Sequence, residues 1–175
     1  MEPILTTERL VLTPVALSDF EDLCGLWGQE AFTRHIMPQP LTAEEVWFRL
    51  LRDIGHWAAL GHGNWSIRSK DAGDYLGSVG VFDYHRQMTP AFEAPELGWG
   101  LSPAFQGRGH AAEAVTAALA WTDRTLEAAR TVCMISPDNA PSMRLAARVG
   151  FAPYAETRYK DSAVVLLERP ARRAT

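Results

Sequence analysis

The stretch Gln106-Gly107-Arg108-Gly109-His110-Ala111 constrains this chain more than any other. It follows Glu96-Leu97-Gly98-Trp99-Gly100-Leu101, whose alternation reads as a strand with Glu96, Gly98 and Gly100 on one face. It opens an alanine-rich run with no Gly or Pro until Pro137, which reads as a helix from about Gly107 to Leu126. The first N–H groups of a helix lack intrahelical partners, and the helix dipole adds partial positive charge there. Glycines let the loop turn tightly and let an anion approach the backbone. A diphosphate or a similar anion is therefore the expected occupant. Two glycines on one face of the strand would let something lie flat against the backbone.

Gly107-x-Gly109-x-x-Ala112 also satisfies the loose dinucleotide pattern, but its surroundings do not fit. Ser102 to Phe105 separate the loop from its strand, Glu127 precedes the next strand rather than ending it, and no second parallel half lies upstream. The chain has neither a G-x-S-x-G elbow nor a G-x-x-x-x-G-K-[S/T] loop, which argues against a serine hydrolase and a P-loop NTPase. The five histidines are scattered, so no metal site is expected.

At 175 residues a single domain spanning 1–175 is expected, with a core over about 7–169 and a short basic C-terminal tail, Arg169 to Arg173. A net charge of −4, from 17 basic and 21 acidic residues, argues against nucleic acid as a partner. Cys24 and Cys133 each sit in an apolar segment, with no disulfide or zinc spacing. No signal peptide and no membrane-spanning run are evident, so a cytoplasmic protein without a membrane partner is expected.

Arg9 to Thr13 reads as a first strand ended by Pro14. Ser18-x-x-Glu21 and Thr42-x-x-Glu45 read as capping boxes, opening helices over Ser18–Trp27 and Thr42–Leu60. The second would bury Trp47, Leu50, Leu51, Ile54, Trp57 and Ala58. Residues 64–69 and 75–83 read as a hairpin, 84–95 as a loop and 131–136 as a buried strand. Asn139 should cap a helix ending at Gly150, and 151–159 and 163–168 should be the last strands. The order β-α-α-β-β-β-α-β-α-β-β describes a mixed α/β domain with a largely antiparallel central sheet flanked by helices. The exposed last strands could pair across a homodimer, so monomer and dimer both remain open.

Several landmarks occur in the order of a known superfamily. Gln106-x-x-Gly109-x-Ala111 resembles the acyl-CoA pyrophosphate loop of the GNAT N-acetyltransferases. Thr7-Glu8-Arg9-Leu10, Tyr75-Leu76-Gly77-Ser78-Val79-Gly80, Glu96-Leu97-Gly98-Trp99, Gly109-His110-Ala111-Ala112-Glu113-Ala114 and Asn139-x-x-Ser142 with Gly150-Phe151 resemble its ribosomal-protein N-acetyltransferase-like (Rim-type) branch. The resemblance covers nearly the whole chain and implies the GNAT fold, with acetyl-CoA as co-substrate.

It implies that backbone N–H groups of Gln106, Gly107, Arg108, Gly109, His110 and Ala111 hold the diphosphate. Trp99, Gly100 and Leu101 would pair the pantetheine as an added strand where it splays from Val132–Ile135, with Asn139 and Ser142 beside the sulfur. Arg108 could pair a phosphate or face solvent. Acyl transfer to an amine needs a neutral amine, a stabilised oxyanion and a protonated leaving thiolate. Glu96 is the candidate base, against a merely solvated or loop-orienting carboxylate. Ser142 is the candidate proton donor, against a hydroxyl that caps helix N–H groups; Tyr84 and Tyr159 stand behind it. A backbone N–H of the Gly98–Leu101 strand would hold the oxyanion. Glu113 reads as structural, favouring the helix dipole. The expected acceptor is a primary amine on a small molecule or a protein N-terminus. The alternative is a non-catalytic acyl-CoA-binding sensor or interaction module.

Overall fold

A computed structural model describes residues 3–172, so Arg173, the end of the basic tail, lies outside the described residues. Its strands are β1 (Leu5–Thr6), β2 (Leu10–Pro14), β3 (Asn64–Ser69), β4 (Tyr75–Phe82), β5 (Glu96–Leu101), β6 (Arg130–Ile135), β7 (Ala152–Tyr159) and β8 (Ser162–Pro170). Its helices are α1 (Phe20–Trp27), α2 (Glu30–Thr33), α3 (Ala43–Leu60), α4 (His110–Thr125) and α5 (Ala140–Arg148). They form one eight-stranded sheet in the order β1-β2-β3-β4-β5-β6-β8-β7, antiparallel throughout except between β5 and β6. This is the expected mixed sheet flanked by helices, with β1 and α2 added. Both additions are too short for a periodic signal. Among the described residues no helix is long and apolar enough to cross a membrane.

Local chemistry set several boundaries as expected. Thr42 accepts from the N–H of Glu45 at 3.3 Å, while Glu45 accepts from the N–H of Thr42 at 2.8 Å. Gly61 ends α3 in the left-handed conformation, φ +71°. Ser18 does not cap its helix. A 3-10 turn over Leu17–Asp19 comes first, and the buried Asp19 accepts from the N–H of Ala16, from Ser66 and from Arg68. A carboxylate with three donors outcompetes a lone hydroxyl. Pro14 stays within β2, at its last position. The basic tail is also different from expectation: Arg169 belongs to β8 and is 4% exposed, with both carboxylate oxygens of Asp123 at 3.0 and 2.8 Å.

The buried stripe of α3 is rotated from the one expected. Val46, Leu50, Asp53, His56 and Trp57 face inward, while Trp47 and Leu51 are exposed and Ala58 faces solvent. Counting apolar residues missed this because the true stripe contains an aspartate and a histidine. Asp53 is buried with its acceptors filled by Arg52, Asn64 and Tyr84. His56 spans the His62 carbonyl and the N–H of Asp83. Paired in this way, buried polar groups cost little.

The two faces of the sheet differ. One presents Leu12, Ile67, Val79, Val81 and Leu97, all buried. There Trp65 of β3 meets Trp121 of α4 edge-on at 5.1 Å and Trp57 of α3 at 4.9 Å. The other presents Ser66, Asn64, Gly98 and Gly100 to the α1–α3 layer. The loop from Asp83 to Pro95 leaves β4 at the end where β5 begins.

Candidate active site

β5 and β6 touch at one place. Glu96 pairs with Val132, and the N–H of Val132 donates to the carbonyl of Pro95 at 3.0 Å. Beyond that point the strands, each of six residues, share no further register and open toward Leu101 and Ile135. Peptide groups alternate in direction along a strand. Since the Pro95 carbonyl faces β6, those of Trp99 and Leu101 face the opening, whereas Gly98 and Gly100 bond to Gly80 and Ser78 of β4.

That alternation corrects the strand reading. Trp99 and Leu101 offer an edge to an added strand, but the peptide groups of Gly100 are spent on β4. The carbonyl of Leu101 already accepts from the Gln106 side chain at 3.0 Å. The glycine face is also taken: a Cβ on Gly98 would meet Phe82 at 2.7 Å, and one on Gly100 would meet Phe32 at 2.8 Å. What lies flat on these glycines is the protein's own aromatic rings.

The loop after β5 has the anticipated chemistry with shifted bounds. Gly107 and Gly109 take φ +76° and +80°, and Gly109 caps α4, so the helix begins at His110 rather than Gly107. No side chain caps this end. The first bond into the helix runs from Glu113 N–H to the Gly109 carbonyl at 3.1 Å. The N–H of Gln106 turns back to Pro103 at 3.4 Å, which removes it from the expected set. From Gly107 through Arg108, Gly109, His110 and Ala111 to Ala112, the backbone N–H groups meet no acceptor among the described residues. Six successive donors at the positive end of a four-turn helix suit a diphosphate. The Arg108 side chain is exposed, and its carbonyl accepts from Arg9 at 2.9 Å.

Glu113 braces this loop. It accepts from the Thr7 hydroxyl at 2.6 Å, the Arg9 N–H at 2.8 Å and the Arg9 guanidinium at 2.7 Å. Burial alone would raise its carboxyl; the bonds from Thr7 and Arg9 outweigh it and hold the carboxyl below its ordinary value. Its structural reading stands, although its partners are Thr7 and Arg9, in the turn between β1 and β2, as well as the dipole.

β6 leads through residues 136–139 into α5, so parallel pairing carries the α5 start to the same end of the sheet as the glycine loop. The Asn139 side chain caps α5 by accepting from the N–H of Ser142 at 3.3 Å. The half-buried Ser142 hydroxyl makes no hydrogen bond within the described protein. Glu96 sits at the closed end of the opening, about 17 Å of strand from Leu101. The structure therefore gathers the loop, Asn139 and Ser142 at one end of β5 and leaves Glu96 at the other.

Glu96 is 6% exposed and receives two bonds from Arg86, at 2.6 and 3.0 Å. It is not the solvated carboxylate weighed from sequence. Burial raises its carboxyl and Arg86 opposes the rise. Arg86 lies between the rings of Tyr84 and Tyr159, 5.4 and 5.0 Å from their centres. Two adjoining hollows meet here. One of about 460 Å³ is lined by His62, Tyr84, Arg86, Phe92, Glu93 and Glu96. The other, about 580 Å³, is bordered by Arg52, Tyr84, Arg86, Tyr159 and Lys160. The Tyr84 hydroxyl donates to Asp53 at 3.0 Å, and burial first and Asp53 second push its pKa upward. Among the described residues no group of three or more His, Cys, Asp or Glu could hold a metal. Arg52, Asp53, His62 and Arg86 escaped the sequence reading, because no local spacing ties loop residue 86 to Glu96 or helix residue 53 to Tyr84.

The family pattern for "Acetyltransferase (GNAT) domain" matches residues 9–152, which run from β2 through the glycine loop and all of α5 to the first residue of β7. This chain belongs to the GNAT acetyltransferases. Over 157 residues it is 30% identical to the [ribosomal protein uS5]-alanine N-acetyltransferase of Escherichia coli K12, covering 84% of this chain and 77% of that protein. Its fold is similar to that of an acetyltransferase from Agrobacterium tumefaciens C58, with TM-score 0.80, 30% identity and coverage of 95% and 93%. It is similar in fold alone to spermidine N-acetyltransferase from Vibrio cholerae solved with CoA and spermine, with TM-score 0.75, 14% identity and coverage of 94% and 97%.

Proposed function

We propose that this GNAT acetyltransferase moves the acetyl group of acetyl-CoA to a primary amine, on a small molecule or a protein N-terminus, by direct transfer in a ternary complex. The observation that carries the reading is the run of six unpartnered N–H groups from Gly107 to Ala112 at the open end of the β5–β6 pair. These groups take the CoA diphosphate. The chain from the diphosphate then lies along the Trp99–Leu101 edge, with Asn139 and Ser142 flanking it.

The amine enters from the Glu96 side. Its nitrogen attacks the thioester carbonyl carbon, and the oxyanion is held by a strand N–H, for which Trp99 is favoured by its direction. The C–S bond then breaks. Glu96 takes the amine proton through a water, and burial makes its carboxylate a stronger base than an exposed one. Arg86 fixes both oxygens and leaves lone pairs free for that water. Ser142 donates to the leaving sulfur, since its hydroxyl has no other duty. Tyr84 is a weak alternative, because its proton is committed to Asp53 and its pKa is raised.

The Glu96–Arg86 pair also favours a second reading, a sensor that binds acyl-CoA without turnover, since a fully paired carboxylate can be inert. Calorimetric titration of acetyl-CoA, run beside thiol release over a panel of amines and N-terminal peptides, separates the two. Binding with release for some acceptor supports the transferase. Binding without release for any supports the sensor, and no binding removes both.

A further inference from the structure

Five arginines among the described residues are withdrawn from full exposure: Arg49, Arg68, Arg86, Arg130 and Arg169. Four of them meet a carboxylate: Arg68 with Asp19 and Asp22, Arg86 with Glu96, Arg130 with Glu168, and Arg169 with Asp123. Arg49 meets none. It makes no ion pair and no hydrogen bond among the described residues, and its Nε is buried without a partner. Its guanidinium lies over the Trp27 ring, 3.9 Å from the centre. The indole covers one face and leaves the donor edge, the geometry in which a guanidinium grips a carboxylate with two parallel bonds.

The surroundings add to this. Trp27 packs edge-on against Phe32 at 5.0 Å, and Phe32 rests over Gly100. On the other side Arg49 is near Arg52, Asp53, Tyr84 and Arg86, and three of these, Arg52, Tyr84 and Arg86, border the hollows beside Glu96. Burial, and then the charge of Arg52, lower its pKa to about 10, while Asp53 acts against them. Asp53 already serves Arg52, Asn64 and Tyr84, so it cannot also satisfy Arg49. A guanidinium whose Nε–H is buried without a partner carries a cost, and a bound anion removes it.

We propose that Arg49 is an acceptor-binding residue: the acceptor carries a carboxylate beside its amine, and Arg49, stacked on Trp27, holds that carboxylate. This rests on the transferase reading, because it orients the acceptor toward Glu96. Two sources share the chemistry, the carboxylate of a free amino acid and an acidic side chain next to a peptide's N-terminal amine.

The test uses matched acceptors on the full chain: alanine against alaninamide, and Ala-Glu-amide against Ala-Gln-amide. The proposal expects at least a tenfold higher kcat/KM for the carboxylate member of one pair. That preference should vanish in R49M, whose side chain still covers Trp27, and partly return in R49K, with acetyl-CoA affinity unchanged in both. Equal rates within both pairs, or a preference that survives R49M, would overturn it. A second readout needs no turnover. The NMR signal of Arg49 Nε–H, assigned by its loss in R49K, is followed during titration with acetyl-alanine, acetyl-Ala-Glu-amide and their amide counterparts. A saturable shift from a carboxylate form alone supports the subsite, and no shift from any of them overturns it. Acetyl-CoA binding without thiol release from any amine would count against the transferase, while the titration still decides the fate of Arg49.

Discussion

The two ends of β5 are built by different means. At Leu101 the chain turns into a loop whose function is local: two glycines with positive φ, a helix start and a row of free N–H groups, all within ten residues. At Glu96 the site is assembled from afar, with Arg86 from the loop, Arg52 and Asp53 from α3, and Tyr159 from β7. A group shared by many substrates, such as a diphosphate, can be held by backbone alone. A variable acceptor needs side chains, and side chains come from wherever the fold brings them.

The largest expected effect is at the assembled end. Glu96→Gln keeps the shape and removes the base, so kcat/KM should fall by about 10²–10⁴, the usual contribution of a positioned base. Acetyl-CoA affinity by calorimetry should be unchanged, because the diphosphate site is a strand away. A loss of affinity equal to the loss of rate would mean that the two ends are not separate.

Next comes the partner. Arg86→Met strands a buried carboxylate, and removing one member of such a pair costs about 3–5 kcal/mol. Urea unfolding should show that loss. Adding Glu96→Gln to it should restore much of the stability without restoring activity. If the single and double variants unfold alike, the pair contributes position and little else.

This asymmetry also sets what could be read in advance. The Thr42–Glu45 capping box, the Gly61 and Gly150 helix ends, the Asn139 cap and the glycine loop were legible because each is a short-range bond between neighbours. Seven of the eight strands were legible, β6 as a buried run, and only β1 was too short to show a pattern. The stripe of α3 was misjudged because Asp53 and His56 face inward, which no count of apolar residues can show. Arg86 and Arg49 stayed hidden for a related reason: the partner of Arg86 lies on another element, and Arg49 has no ion-pair or hydrogen-bond partner among the described residues. The glycines of β5 were recognised as a close approach, but not that Phe32 and Phe82 make it.

At the local end a smaller change should act on binding. Gly109→Ala puts a Cβ at φ +80°, a strain of about 1–2 kcal/mol. The nearest atom, the Arg9 guanidinium at 3.3 Å, can yield, so the cost is conformational rather than steric. Acetyl-CoA affinity should weaken about tenfold, with the rate at saturating acetyl-CoA little altered. A collapse of that rate at full occupancy would show that the loop shapes the reaction centre as well.

The smallest effect separates the two carboxylates by the sign of their pH response. Glu113 is held below its ordinary value by Thr7 and Arg9 against the effect of burial. Its contribution is therefore complete above the ordinary carboxylate range and fades as pH falls through the lowered value. Glu113→Gln should lose about 0.5–1.5 kcal/mol at neutral pH, the worth of a hydrogen bond in a partly exposed network, and the gap from the unaltered chain should close in acid. Glu96 runs the other way: burial raises its carboxyl, so ionising it weighs against the folded state as pH climbs through that range. Urea melts of the unaltered chain, Glu113→Gln and Glu96→Gln across pH 3–8 would show one difference opening with pH and the other reversed. Parallel curves would mean that Arg86 fully compensates the burial of Glu96. The closed end of β5 would then hold a settled ion pair, which is the condition under which the sensor reading gains over the transferase.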